Sequence, residues 1–270
     1  MINISMIYRA PLFSPNSAKK DKAILDAVGS LLKEWGANIE YIQEEDLIPE
    51  NLADVYLSMA RLPETLEILK RHEDEGRRVI NSVRSVYTTI RRSYLDRLMR
   101  EDGFPVAPLC QRDKLQEGVG FWLKRGDSAA QCLYDVQYAE KWEDVVRKLE
   151  FFDERGITDV LITRHVPGDV VKFYGVRGTD FFRCYYPTDD GQKKYDDECH
   201  NGRASHFLYN ETQFHSDADK IAAMAGLDVY GGDCIVQDNG TYVFIDINDW
   251  PSFARCREEA AQAIASLIIR

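Results

Sequence analysis

The sequence predicts an α/β protein in which a parallel layer at the N-terminus is followed by two α+β lobes. The first sign is the alternation of strand-like and helix-like segments: INISMIY (2–8), an amphipathic 21–36, ANIEYI (37–42), ADVYLSM (53–59), a helical 62–76 and RRVIN (77–81). That is the β-α-β pattern of a parallel sheet. The second is a pair of hairpins further on. FFRCYYP (181–187) can fold back on VVKFYGV (170–176), and DCIVQDNGTYVFIDIN (233–248) turns at Asp238-Asn239-Gly240, the short-range signature of antiparallel strands. The third is bulk: 44% hydrophobic residues in 270 can bury a substantial core.

In order, the helix over 21–36 stops at Gly36 and the first unit closes near Asn81-Ser82, giving a domain over 1–84. Residues 85–103 are helical by spacing and carry Arg91, Arg92, Arg97 and Arg100, with Arg84 just before them, against an acidic background, until Pro105 and Pro108 interrupt. GVGFWLKRG (118–126) reads as a strand and 139–156 as a helix, which together make a second unit over 85–160. A third unit, 161–270, holds LITRHV (161–166), the two hairpins, a helix over 216–227 and a closing helix over 254–270. Between them, 189–203 is polar and glycine-containing and reads as a loop.

Net charge is −11, from 34 basic and 45 acidic residues, which argues against nucleic acid as a partner while leaving room for a local basic pocket. The six cysteines form no C-x-x-C pair, so reduced thiols are expected rather than a zinc knuckle or a disulfide framework. There is no apolar run of about 18 residues and no secretory signature in MINISMIYRAPLF, so no membrane partner is expected and a cytoplasmic location is.

FIDINDWPSF (244–253) puts polar residues into a strand. Period-2 spacing sets Asp246 and Asn248 on one side of it, and Asp233 lies at a comparable distance from the hairpin tip. Three hard oxygen donors suit magnesium, which is normally held by one or two carboxylates plus substrate phosphates. The same pair reads equally well as the solvent face of a half-exposed strand.

DCIVQDNGTYVFIDINDWPSF (233–253) resembles the C-terminal signature of the ATP-grasp superfamily, and other segments match that superfamily in order. RRVINS (77–82) resembles the end of its N-terminal layer, and Gly103-Phe104-Pro105-Val106-Ala107-Pro108 the segment before its small lobe. FWLKRG places the ATP-phosphate lysine at Lys124, and Thr163-Arg164-His165-Val166-Pro167-Gly168-Asp169 resembles the adenine hinge. The resemblance implies an ATP-grasp fold: a parallel α/β pre-ATP-grasp domain and two α+β lobes clasping a nucleotide. It also implies ATP with Mg2+, or Mn2+ in its place, as cofactors, and Asp233, Asp246 and Asn248 as metal ligands.

By the same resemblance, backbone groups of Arg164 and Val166 meet the adenine edge and Asp169 accepts from the ribose hydroxyls. Lys172 resembles the lysine of the inositol polyphosphate 1-kinase-like branch and is placed at the transferred phosphate. Arg183 on the facing strand is a weaker phosphate candidate, and Arg203 is preferred over His200 and His206 as the loop residue that holds the acceptor. The first ATP lysine of the family falls on Arg92. The loop after Lys124, GDSAAQ (126–131), has one glycine where many relatives have a glycine-rich flap, so Ser128 and neighbouring amides are assigned to the phosphates.

The implied activity is an ATP-dependent carboxylate-amine ligase acting through an acyl phosphate on a small molecule or peptide. Two alternatives stand beside it: a small-molecule kinase, favoured by Asp at 246 where many relatives have Glu, and a non-catalytic nucleotide-binding relic, favoured by Arg92 and the glycine-poor loop. Relatives are often dimers, so a homodimer is the assembly the resemblance implies, although no apolar stripe argues for it.

Overall fold

A computed structural model describes residues 2–14, 18–115, 117–118, 120–190 and 200–269. Most of the 189–203 loop expected from sequence lies outside the described residues, as do residues 15–17.

The N-terminal layer is a parallel sheet in the order β2-β1-β3-β4, built from β1 (Asn3–Tyr8), β2 (Asn38–Gln43), β3 (Val55–Ser58) and β4 (Arg78–Ile80). Helix α1 (Ala18–Glu34) covers one face through Ile24, Leu25, Val28 and Leu32, and α2 (Pro63–Asp74) covers the other through Leu66 and Leu69. Both faces are covered, so β1 and β3 read as nearly continuous apolar runs.

The 85–103 helix divides in two. Helix α3 (Val83–Ile90), whose N-cap Ser82 accepts from the Ser85 amide, ends at Arg91, where φ −87° and ψ 81° break the spiral before α4 (Arg92–Glu101). Val83 and Val86 pack into the N-terminal layer, while Leu95 and Met99 pack into the C-terminal lobe. Neither helix joins the core of the small lobe, although sequence grouped them with it.

That small core comprises β5 (Phe121–Arg125), β6 (Val136–Ala139) and β7 (Val160–Arg164), in the order β6-β5-β7, under α5 (Trp142–Glu154). Strand β6 was not expected from the sequence: three of its four residues lie ahead of the helix expected over 139–156, and only Ala139 overlaps it. Phe121 and Leu123 point into the α5 core. The intervening Trp122 and Lys124 therefore share the opposite face.

The C-terminal sheet is antiparallel, β11-β10-β8-β9, from β8 (Asp169–Val176), β9 (Phe182–Tyr185), β10 (Val229–Val236) and β11 (Tyr242–Asp249). Helix α6 (Glu211–Ala225) backs it, with Phe214 packed edge-on to Phe173 at 5.4 Å and stacked with Phe244 at 5.4 Å. The helix starts ahead of the predicted residue 216 because Asn210 caps it, accepting from the Gln213 amide at 3.0 Å. It ends on the left-handed Gly226.

The last helix, α7 (Arg257–Ile269), returns to the N-terminal layer, where Ala260, Ala261, Ile264 and Ala265 share one core with α1 and β1. Buried Asn81 reinforces that junction. Its side chain accepts from the Asp228 and Val229 amides at 2.8 Å and donates to the Val229 carbonyl at 2.7 Å. The Trp250 indole donates to the Ile80 carbonyl at 2.9 Å.

Candidate functional site

A β-bulge builds the site. Asp233 pairs with Asp246 across β10 and β11, but Cys234 pairs with Phe244, so Ile245 is the extra residue. A bulge inverts the alternation beyond it. Phe244 and Ile247 are thereby both buried, while Asp246 and Asn248 share the other face. Lys172 of β8 is opposite Asp233, which places it on that face as well.

The polar side chains converge. Lys172 Nζ lies 2.7 Å from Asp233 Oδ1, and Arg92 Nε lies 3.5 Å from Asp246 Oδ1. Asn248 Nδ2 donates to Asp246 Oδ2 at 3.1 Å. From the small lobe, Lys124 Nζ donates to the Ile245 carbonyl at 2.6 Å, a carbonyl whose residue has no cross-strand partner in the bulge. Three cations face two carboxylates, and that excess of positive charge suits a polyphosphate.

The electrostatics follow from burial and these partners. Burial works to raise the Asp246 carboxyl, but Arg92, Lys124 and the Asn248 amide outweigh it and hold the group below its ordinary range. Burial pushes the Lys124 ammonium down, against the pull of Asp246. Arg92 is positioned by the start of α4, where Ser93 N donates to the Gly126 carbonyl at 3.2 Å and Ser93 Oγ donates to Asp159 at 2.6 Å. A Cβ at Gly126 would meet both Ser93 Oγ and the Asp159 carboxylate, so this glycine is needed for close approach.

The donor set fits magnesium. Asp233, Asp246 and Asn248 offer hard oxygens on one face, and Lys172 and Arg92 already supply positive charge to the two carboxylates. Among the described residues no cluster of three or more His, Cys, Asp or Glu side chains could hold a metal alone. A magnesium ion held there would take its further oxygens from substrate phosphates and water, as is usual for this ion.

Other predicted residues take different places. Asp169 is buried, and its carboxylate accepts from the Ser205 and Phe207 amides at 2.7 and 2.8 Å; it anchors that loop instead of facing a ribose. Arg183 ion-pairs with Glu259 of α7, which takes it away from Lys172. Arg203 is exposed on the loop, and no described contact links it to the cluster. Ser128 is half-buried beside Ala129, which reaches the Arg92–Asp246 cleft.

At the hinge, the Arg164 amide donates to the Pro108 carbonyl at 2.8 Å, and the Val166 carbonyl accepts from Asn201 Nδ2 at 3.3 Å. The Val166 N–H makes no hydrogen bond among the described residues. An aromatic wall, absent from the sequence expectations, stands beside it. Trp122 Nε1 donates to His165 Nδ1 at 3.2 Å, and Tyr138 stacks on His200 with ring centroids 3.6 Å apart. Trp122 was findable, because it precedes Lys124 by two residues in a strand.

No family model matches the sequence, and no curated protein sequence matches it. Solved structures do match. D-alanyl-alanine synthetase A from Vibrio cholerae superposes with a TM-score of 0.72 at 8% identity, over 99% of this chain and 96% of that one. A RimK domain ATP-grasp protein from Sphaerobacter thermophilus gives 0.70 at 13% identity, over 99% and 100%. D-alanine–D-alanine ligase from Bacillus anthracis gives 0.68 at 11% identity, over 100% and 98%. At such low identity the likeness concerns architecture, and with the parallel layer, the two antiparallel sheets and the facing Lys124 it leads to one conclusion: the chain has the ATP-grasp fold.

Proposed function

We propose that this protein is a Mg-ATP-dependent carboxylate-amine ligase acting through an acyl phosphate. The observation that carries the reading is the convergence of Lys124, Lys172 and Arg92 on the Asp233, Asp246 and Asn248 face. Two of the structural neighbours above are named as ligase or synthetase, and the Bacillus anthracis ligase was also solved in complex with ATP, with a TM-score of 0.66 at 14% identity over 99% of this chain and 97% of that one.

In this reading, the Val166 N–H and the Arg164 carbonyl meet the adenine edge, and Lys124 and Arg92 hold the phosphate chain. Lys172 leaves Asp233 to meet the migrating phosphoryl group. Asp233, Asp246 and Asn248 would hold magnesium, which neutralises phosphate charge when bound. A substrate carboxylate oxygen bonds to the γ-phosphorus while the bond to the β–γ bridging oxygen breaks and ADP leaves. An amine nitrogen then bonds to the acyl carbon, inorganic phosphate departs with the former carboxylate oxygen, and the amine proton passes to solvent. No side-chain nucleophile is required, so the chain contributes position and charge.

The test is incubation with Mg-ATP, a metabolite pool and hydroxylamine. A ligase yields a hydroxamate with ADP and phosphate. A phosphorylated metabolite without hydroxamate would replace this reading with a kinase.

A further inference from the structure

The parallel sheet reverses its winding between β1 and β3, which lie side by side while β2 and β4 flank them. In open α/β sheets, ligands sit in the crevice beyond the C-terminal strand ends at such a reversal. Arg9 follows β1 and Arg61 follows β3, so both border that crevice. Both also reach fully buried Asp249, the last residue of β11: Arg61 Nη2 binds Oδ1, and Arg9 Nη2 lies 3.5 Å from Oδ2.

The two arginines differ in what they have left to offer. Arg9 is committed, with Nε donating to the Met59 carbonyl at 3.1 Å, Nη1 donating to Asp21 at 3.2 Å, and Nη2 donating to the Asp249 and Trp250 carbonyls at 3.2 and 3.3 Å. Arg61 uses Nη2 on Asp249, while its buried Nε has no hydrogen-bond partner among the described residues. A buried donor without a partner calls for an explanation. Arg61 also borders a narrow cleft whose other walls include Thr89, Arg92, Ala129, Asp246 and Asn248. Arg61 thus stands between the crevice of the parallel layer and the cluster of cations and carboxylates around Asp246.

A guanidinium fixed on Asp249 presents its remaining N–H groups in a set plane, the geometry that matches a carboxylate. A hydroxyl in the same place gains no charge pairing. We propose that Arg61 grips the carboxylate of the acid substrate and aims it at the γ-phosphoryl group, so that the acceptor is a carboxylic acid bound between the parallel layer and β11. This rests on the ligase reading above and assigns its acid subsite.

Straight-chain carboxylates from acetate to adipate, each beside its matching alcohol at constant ionic strength, test it by calorimetry on the full chain with a non-hydrolysable Mg-ATP analogue present. At least one acid should bind, its alcohol should bind about tenfold or more weakly, and R61Q should lose about tenfold or more in affinity for the acid, as expected for hydrogen bonds to a charged group. Affinity for the analogue should be unchanged in the variant. R61K, which keeps a cation beside Asp249 but loses the planar fork, should retain the melting temperature and still weaken acid binding. Acids binding no better than alcohols, or binding equally to wild type and a folded R61K, would overturn the proposal. Hydroxamate formation is read separately: acid binding that depends on Arg61 without hydroxamate retracts the ligase reading alone, and hydroxamate that is indifferent to Arg61 retracts the subsite alone.

Discussion

Lys124 of the small lobe donates to the carbonyl of Ile245, 2.6 Å away in the C-terminal lobe, and Ile245 is the residue that the β10–β11 bulge leaves without a partner. The bulge therefore does two things: it turns Asp246 toward the site, and it provides the ammonium with an acceptor between the lobes. Lys124→Met should weaken Mg-ATP binding by about 10- to 100-fold, on the scale of ~1.5–3 kcal/mol for hydrogen bonds to a charged group. Calorimetric titration of ATP with magnesium checks this; unchanged affinity would remove Lys124 from the phosphates.

Asp246→Ala should abolish the magnesium dependence of nucleotide binding while leaving the fold intact, because the variant loses a carboxylate on the site face and buries no new group. The measurement is ATP affinity with and without magnesium, alongside the circular dichroism spectrum. Magnesium dependence equal to that of wild type would place the metal elsewhere.

Asp169 is expected to act on stability before catalysis. Its replacement by Ala leaves the part-buried Ser205 and Phe207 amides without their acceptor and should cost about 2–3 kcal/mol, since hydrogen bonds to a charged group contribute ~1.5–3 kcal/mol. Urea unfolding gives the magnitude, and faster proteolytic cleavage within 200–209 gives the location. A variant as stable as wild type would mean that the loop does not depend on this anchor.

His200 and Asn201 occupy the space beside the hinge, one stacked on Tyr138 and the other bonded to the Val166 carbonyl. An adenine ring held by that hinge has to displace them. The double variant His200→Ala, Asn201→Ala should therefore bind Mg-ATP several-fold more tightly, read by Trp fluorescence. Weaker binding would show instead that these side chains contact the base.

His72 supplies a pH test remote from the site. Its ring is buried, stacks on Tyr56 at 4.9 Å and has no hydrogen-bond partner at either nitrogen among the described residues. Burial, aided by Arg77, pushes its pKa below the ordinary 6.5. As pH falls from 6.5 toward the folded value, the unfolded chain takes up a proton that the folded chain resists, so stability is lost in that window. His72→Phe, which keeps the stack, should flatten the dependence of melting temperature on pH between about 7 and 5. An identical slope would assign it to other groups.

The parallel layer was legible because its elements lie in short, strongly patterned segments, each bounded by a turn or a glycine such as Gly36. The hairpin was legible through Asp238-Asn239-Gly240, and the shared face of Asp246 and Asn248 through simple alternation. Helix α6 and strand β6 were harder. The start of α6 depends on a cap at Asn210, and β6 has only four residues, too few for periodicity to separate from a helix start.

The sequence by itself determined the class of each long element, the excess of acidic charge and the polar set that lines one side of β11, because local spacing and turn chemistry encode these directly. Tertiary structure decided which cations reach that set. It placed Lys172 on Asp233 and Lys124 on Ile245, led Arg183 away to Glu259, and engaged Asp169 with the 205–207 backbone. It also brought Arg61 to Asp249, 188 residues apart in the chain. Such pairings depend on strand register, a bulge and the return of α7 to the first layer, which arise from packing between distant segments and leave no periodic trace in either one.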